Sequence, residues 1–314
     1  MRGENNMLIS IIVPVYKSSE SIKELANQIF ELEKGLDFVF ELIFVNDSPN
    51  FKPTQEALKS INFQYPDVLV INLRKNQGQH IALLVGISKA KGDYIITMDD
   101  DLQHPVKEIP RLVNALQGDE DIEVIFALPS YAQKKHSVWR NVASFILNKI
   151  DVLFLAKPKG LVKSSFKIFT KEIGRLAVST HNAMPSLSSI IIKLTDNIVN
   201  IEVEHNARVY GKSNYSLSKL ISLSLNNILH YSSLPLKMIG VTGVIGLLFS
   251  IVFIAITIIR KFFLGITFPG YTSTVSLISF FGGLNLFGIG LIGEYLIRII
   301  KEQQKLDLDD FIKE

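Results

Sequence analysis

Two long uncharged apolar runs dominate the last third of this 314-residue chain: Met238–Ile259, with 22 residues, and Val275–Gly293, with 19. A helix rises about 1.5 Å per residue, so roughly 20 apolar residues span a hydrocarbon core of about 30 Å. The sequence therefore predicts a two-helix transmembrane hairpin, with spans at about 238–259 and 275–297, and everything else must fold beside a bilayer. Gly240, Gly243 and Gly246 in the first run, and Gly283 and Gly290 in the second, would let the two helices approach closely. Arg298, Lys301 and Lys305 after the second run fit a cytoplasmic exit, whereas Arg260 and Lys261 in the connection do not. The apolar stretch Leu8–Val15 is interrupted by Pro14 and reads as a first buried strand, not as an export signal. The large N-terminal part is accordingly expected on the cytoplasmic side.

From residue 8 to about 127, short β-branched runs alternate with stretches of helical period. Strands are predicted at Leu8–Val13, Phe40–Val45, Val68–Leu73, Tyr94–Met98 and Glu123–Ala127, and helices at Glu20–Glu33, Thr54–Ser60, Ile81–Lys89 and Val106–Leu116. Such alternation predicts an α/β fold with a mainly parallel sheet covered on both faces, its ligand crevice outside the carboxyl ends of the strands. Polar residues stand at those ends: Pro14-Val15-Tyr16, Asn46-Asp47-Ser48, Arg74 to His80 and Asp99-Asp100-Asp101. Residues 138–155 are apolar on a broad helical face and read either as a core helix or as an interfacial helix on a bilayer. A second such segment, Leu217–Tyr231, leads into the first long run. The expected organisation is a cytoplasmic domain over 1–215, an amphipathic juxtamembrane segment over 216–236, the hairpin over 237–299 and a cytoplasmic tail over 300–314.

Composition narrows the chemistry. Thirty-three basic against 30 acidic residues leave a net charge of +3, too slight for phosphate-backbone binding, so no nucleic-acid partner is expected. The absence of cysteine excludes disulfides, a thiolate nucleophile and a zinc–thiolate site. Asp99, Asp100 and Asp101 in succession would repel one another if buried without a cation, so they call for water or for a metal. On their own they read either as a solvated acidic turn or as a site where Asp99 and Asp101 hold Mg²⁺ or Mn²⁺ against the two phosphates of a nucleotide.

Taken together, Val13-Pro14-Val15-Tyr16, Phe44-Val45-Asn46-Asp47-Ser48, Asn76-Gln77-Gly78-Gln79-His80 and Met98 through Gln103-His104-Pro105 with Glu108-Ile109-Pro110 resemble the GT-A glycosyltransferases of family 2. Arg208, Gly211, Ser213 and Tyr215-Ser216, the Leu234-Pro235-Leu236 entry to the first run and Gly293-Glu294-Tyr295 at the end of the second carry the likeness over nearly the whole chain. Within that family the pattern is most similar to the polyprenyl-phosphate glycosyltransferases: dolichyl-phosphate mannose synthases, bactoprenol glucosyltransferases and, closest, the undecaprenyl-phosphate aminoarabinose transferases.

The resemblance implies a GT-A domain with a Rossmann-like sheet, and an inverting transfer of a sugar from a nucleotide sugar, with UDP the expected nucleotide, to undecaprenyl phosphate on the cytoplasmic face of a bacterial inner membrane. It implies that Pro14, Val15 and Tyr16 line the nucleobase site, that Asp47 bonds base or ribose, and that Asn76, Gly78, Gln79 and His80 complete the donor side. Asp99, Asp101 and Gln103 would hold the metal. Arg208, assisted by Lys212, would neutralise the departing diphosphate, and Lys134, Arg140 and Ser144 would take the acceptor phosphate. The reading leaves a homo-oligomer open.

The sequence also departs from the family's pattern. Lys17-Ser18 stand where Asn-Glu is usual, Asn46-Asp47-Ser48-Pro49 keeps one acid of an Asp-Asp-Gly-Ser turn, an Arg expected shortly before Arg140 is missing, and Gly160 to Phe166 lacks an Asp that many relatives carry. Two other readings remain: a processive polysaccharide synthase, for which the Gln-x-x-Arg-Trp motif is missing after Arg208, and a degenerate member acting as a membrane scaffold.

Overall fold

The structure is a computed structural model that describes residues 7–129, 160–180, 186–206, 270–303 and 307–313, together with Val241, Ile245, Val252, Ile256, Ile259, Phe262 and Phe263. Lys134, Arg140, Ser144, Arg208 and Lys212, both amphipathic segments and most of the first long apolar run lie outside the described residues. The chain divides into two compact units: Met1–Val152 with Ala156–Ser216 and Lys305–Glu314, and Leu153–Leu155 with Leu217–Gln304.

The first unit is built on one seven-stranded sheet in the order β3-β2-β1-β4-β6-β5-β7. Its strands are β1 (Met7–Val15), β2 (Phe38–Asn46), β3 (Leu69–Asn72), β4 (Tyr94–Thr97), β5 (Val124–Pro129), β6 (Lys167–Thr170) and β7 (Ile198–Val203). β6 runs antiparallel to β4 and β5, and the other pairings are parallel. A strand buried on both faces reads as a continuous apolar run, and the last seven residues of β1 are all buried. Ile9, Ile11, Val13 and Val15 face one core and Ile12 the other, because successive side chains leave opposite faces of a strand.

Helices cover both faces: α1 (Glu20–Glu33), α2 (Lys52–Gln64), α3 (Gln79–Lys89), α4 (Ile109–Gln117), α5 (Lys171–Ser179) and α6 (Leu187–Leu194). α1 buries Ile22, Leu25, Ala26 and Ile29, the spacing of one helical stripe. α2 is longer at both ends than the predicted Thr54–Ser60, since Pro53 suits a first turn and Ile61 extends the buried stripe. The predicted helix from Val106 begins as a 3₁₀ turn, Val106–Glu108, before Pro110 opens α4. Helix α3 lies so close to the sheet that a Cβ on Gly86 would come within 2.4 Å of Ile12 Cγ2.

The segment 307–313 returns to this sheet. Ile312 forms an antiparallel bridge with Leu73, Arg74 N donates to Phe311 O at 2.8 Å, and Lys313 N donates to Asn72 O at 2.7 Å. Lys89 at the end of α3 pairs with Asp309 at 2.6 Å, and Leu308, Phe311 and Ile312 pack on the core face that α3 covers. The free edge is thereby met at the end of β3, from Asn72 to Arg74.

In the second unit, α7 (Tyr271–Gln303) is a helix of 33 residues that contains the second long apolar run. Taken over the described residues alone, no helix is long and apolar enough to cross a membrane. Nearly all of the first run lies outside the described residues.

Candidate active site

The strand order turns at β1, which has β2 on one side and β4 on the other. Ligand crevices of open α/β sheets lie at such turning points, outside the carboxyl ends of the strands. Three strand ends are tied together there. Tyr16 N, just past β1, donates to Asp100 Oδ2 beyond β4 at 3.3 Å, and Lys17 N donates to Ser48 Oγ beyond β2 at 3.0 Å. Lys17 and Leu102 hold left-handed backbone, with φ of 57° and 62°. Such conformations are strained for residues with a Cβ and gather at functional sites. They follow β1 and β4, the two strands that adjoin at the turning point.

Asp47, buried after β2, organises one wall. Its Oδ1 accepts from Gln77 N at 2.6 Å, and its Oδ2 accepts from Gly78 N at 2.9 Å and from Asn76 Nδ2 at 3.0 Å. Gly78 adopts φ of 90°, a region a side chain would resist. Burial raises the Asp47 carboxyl above its ordinary pKa, while the two backbone donors pull it down. The carboxylate is thus engaged in shaping the loop that carries Asn76 and Gly78.

The predicted carboxylates follow β4. Asp99 Oδ1 accepts from Gln79 Nε2 at 2.6 Å, and Oδ2 accepts from Ser165 Oγ at 2.7 Å with His104 Nε2 at 3.5 Å. Burial pushes the Asp99 carboxyl up, but His104, Ser165 and the charge of Lys167 outweigh it and hold the pKa low. Asp100 is pushed up to about 6 by burial, aided by its two acidic neighbours and opposed by bonds from Ser18 and Tyr16. Asp101 Oδ1 accepts from Gln103 N at 3.2 Å. Gln103 O in turn accepts from Asn206 N at 2.9 Å, which ties the segment after β7 to the carboxylate turn.

Behind the turn lies a polar cluster, of which sequence reasoning found only His80. His104 stacks on Phe166 at 5.0 Å between ring centres and bonds Ser165 Oγ at 3.2 Å. Lys167 is 2% exposed, and burial lowers its pKa to about 8 against the attraction of Asp99. His80 Nδ1 is buried without a hydrogen-bond partner, and burial, helped by Lys167, lowers the ring's pKa to about 4. His104 lies within the Met98–Pro105 stretch, where nothing in the sequence alone marks it for a role. Ser165 and Lys167 carried no signal, because only the antiparallel pairing of β6 with β4 brings them to Asp99.

A divalent ion such as Mg²⁺ or Mn²⁺ commonly takes one or two carboxylates and completes its shell with substrate phosphates and water. Among the described residues no group of three or more His, Asp or Glu could hold a metal by itself. Asp99 and Asp101 at one strand end fit the shared kind of site.

The family model described as glycosyl transferase family 2 matches residues 10–179, more than half of the chain. Undecaprenyl-phosphate 4-deoxy-4-formamido-L-arabinose transferase of Sodalis glossinidius is 28% identical over 297 residues, covering 94% of this chain and 90% of the relative. The protein of the same name from Proteus mirabilis is 27% identical, again over 94% and 90% of the two chains. Among solved structures, glucosyl-3-phosphoglycerate synthase from Mycobacterium tuberculosis, in complex with Mn²⁺, uridine diphosphate and glucosyl-3-phosphoglycerate, superposes with a TM-score of 0.53 at 17% identity, covering 71% of this chain and 78% of that one. Its complex with Mn²⁺ and UDP-glucose also gives a TM-score of 0.53 at 17% identity, over 71% and 77%. That likeness establishes the shared sheet architecture. With the family model spanning the sheet from β1 to α5, the chain belongs to glycosyl transferase family 2 and is a glycosyltransferase.

Proposed function

We propose that this chain moves one sugar from a nucleotide diphosphate sugar, with UDP the nucleotide, to undecaprenyl phosphate or a similar polyprenyl phosphate. The observation that carries the reading is the pair Asp99 and Asp101 at the end of β4, where the strand order turns and three strand ends are laced together. The acceptor is supported by relatives named for undecaprenyl phosphate that match 94% of the chain.

In this reading Pro14, Val15 and Tyr16 line the base, and the loop of Asn76, Gly78, Gln79 and His80, shaped by Asp47, closes the donor side. Asp101 and Asp99, with Gln103, would hold Mg²⁺ or Mn²⁺, which when bound supplies positive charge to the departing diphosphate. Arg208 and Lys212 add charge on the same side. Asn206, two residues before Arg208, is tied to the Gln103 carbonyl. Lys134, Arg140 and Ser144 take the acceptor phosphate. A monophosphate oxygen is already anionic near neutral pH, so it needs positioning more than a general base. It attacks the anomeric carbon as the bond to the diphosphate breaks, the electron pair leaving with the diphosphate, and the centre inverts.

The domain over 1–215 works on the cytoplasmic face of a bacterial membrane, carried by juxtamembrane residues 216–236 and a hairpin over 237–299. The lipid setting is supported by large hydrophobic side chains left exposed in the second unit, among them Val241, Ile256, Phe262 and Phe263, and on α7 Ile278 and Ile289. The test uses detergent-purified full-length protein, undecaprenyl phosphate, a divalent metal and a panel of nucleotide sugars, with lipid products read by mass spectrometry. A glycosylated lipid monophosphate made by the wild type and not by Asp101→Asn is expected. Absence of product with every donor, from folded protein, would overturn the reading.

A further inference from the structure

We propose that residues 307–313 are a positioning segment for the donor loop, so that affinity for the nucleotide depends on a stretch of chain outside the crevice. The inference rests on the reading above, in which the loop from Asn76 to His80 closes the donor side, and deepens it.

The segment belongs to the same compact unit as the sheet. Its short 3₁₀ helix, Leu308–Phe311, is capped by the Asp307 side chain, which accepts from Asp309 N at 3.0 Å. Thus ordered, it holds the chain where β3 gives way to the donor loop. β3 ends at Asn72, whose carbonyl accepts from Lys313 N at 2.7 Å, and Leu73 bridges Ile312. Arg74 is held twice: its backbone N–H donates to Phe311 O at 2.8 Å and its Nε to Asp310 O at 3.0 Å. On the other side, Leu73 N donates to Asn46 O at 3.0 Å and Asn46 Nδ2 donates to Asn72 Oδ1 at 2.9 Å. The start of the loop is therefore fixed against the end of β2, whose next residue is Asp47.

The loop runs into α3, and the segment holds that element too. Asp309 pairs with Lys89 in the last turn of α3 at 2.6 Å, and Leu308, Phe311 and Ile312 pack on the core that α3 helps to build. The ion pair is exposed and contributes little by itself, so the backbone bonds and the apolar packing carry the effect. Between these anchors Asp47 accepts from Asn76 Nδ2, Gln77 N and Gly78 N, which requires the loop to keep its distance from β2. A loop ordered in advance binds more tightly than one that the ligand must order. Releasing the segment would leave the ordering of residues 74–78 to the nucleotide, while Asp99 and Asp101 stay in place beyond β4.

The test compares the detergent-purified full chain with one that stops after Leu306, by calorimetric titration of UDP with Mn²⁺ and by amide hydrogen exchange. The shortened chain should bind UDP about tenfold more weakly, because the ligand must now order the loop. Its exchange over residues 75–80 should rise about tenfold while β1 keeps the rate of the full chain, as local opening requires. A synthetic peptide of residues 305–314 should restore both. Phe311→Ala keeps the proposal testable if the shortened chain does not fold: it should weaken UDP binding about threefold by loosening the packed segment, and Phe311→Leu should behave as the wild type. Equal UDP affinity of the full and shortened chains, or of the wild type and a folded Phe311→Ala, would overturn the proposal. So would exchange that rises equally in β1, which would make the segment a general brace of the sheet. No UDP binding by the full chain would remove the nucleotide reading, and this inference with it.

Discussion

Asp47 accepts three hydrogen bonds from a single loop, two of them from backbone N–H groups. An amide in its place offers one oxygen and turns an NH₂ toward a donor. Asp47→Asn should therefore loosen the loop, costing about 1–3 kcal/mol of stability and raising the donor KM by roughly tenfold with a smaller change in kcat; steady-state kinetics against donor concentration, with thermal unfolding alongside, would check it. His80 gives a pH dependence. Its folded pKa of about 4 lies below the ordinary 6.5, so between those values the unfolded chain binds a proton that the folded chain does not. Its contribution to stability is complete above pH 6.5 and is lost as the pH falls toward 4, at no more than about 1.4 kcal/mol per pH unit. Asp100, raised to about 6, acts in the opposite sense, so the measurement is a comparison. His80→Gln should gain thermal stability relative to the wild type between pH 7 and pH 5, and a constant difference would refute the assignment. The first-strand, second-strand and fourth-strand site residues were legible because each follows an apolar run directly. Lys167 was not, since a charge in a four-residue strand reads as surface until the neighbouring strands are known.

At the scale of elements, the ends of α1 agree with the pattern because a stripe of buried residues at helical spacing ends where polar residues begin. β6 and β7 leave no strand signal in the sequence. β6 is short and carries Lys167, and β7 is largely half-buried, so neither shows the continuous apolar run that revealed β1. The contact of α3 with the sheet was also silent in sequence, although its glycine is visible there. Gly86→Ala would place a methyl 2.4 Å from Ile12 Cγ2 and 3.1 Å from Val45 Cγ2. Overpacking of this kind costs about 1–3 kcal/mol, and the thermal midpoint should fall while Mn²⁺–UDP binding by the folded fraction is retained. A variant as stable as the wild type would mean that the helix can lift from the sheet without cost.

For the whole molecule, the exposed hydrophobic side chains of the second unit lead to a plain expectation. The full chain should remain with membranes through a high-salt wash and leave them only with detergent, as judged by sedimentation and immunoblotting. Release by salt alone would point to an electrostatic attachment and remove the hairpin.

The return of residues 307–313 to β3 also has a bearing on biogenesis. Leu73 meets Ile312 across 239 positions of chain, and during synthesis residues 307–313 emerge only after α7. The sheet can pair every strand up to β7 while the later apolar segments are still being made, but the end of β3 that Ile312 and Lys313 meet stays unpaired until residues 307–313 have been synthesised. Unpaired edges recruit other chains, and contacts this distant in sequence form late. A nascent chain ending before residue 307 would thus hold a nearly complete sheet with the end of β3 unpaired, and docking of residues 307–313 would be the last contact the sheet acquires.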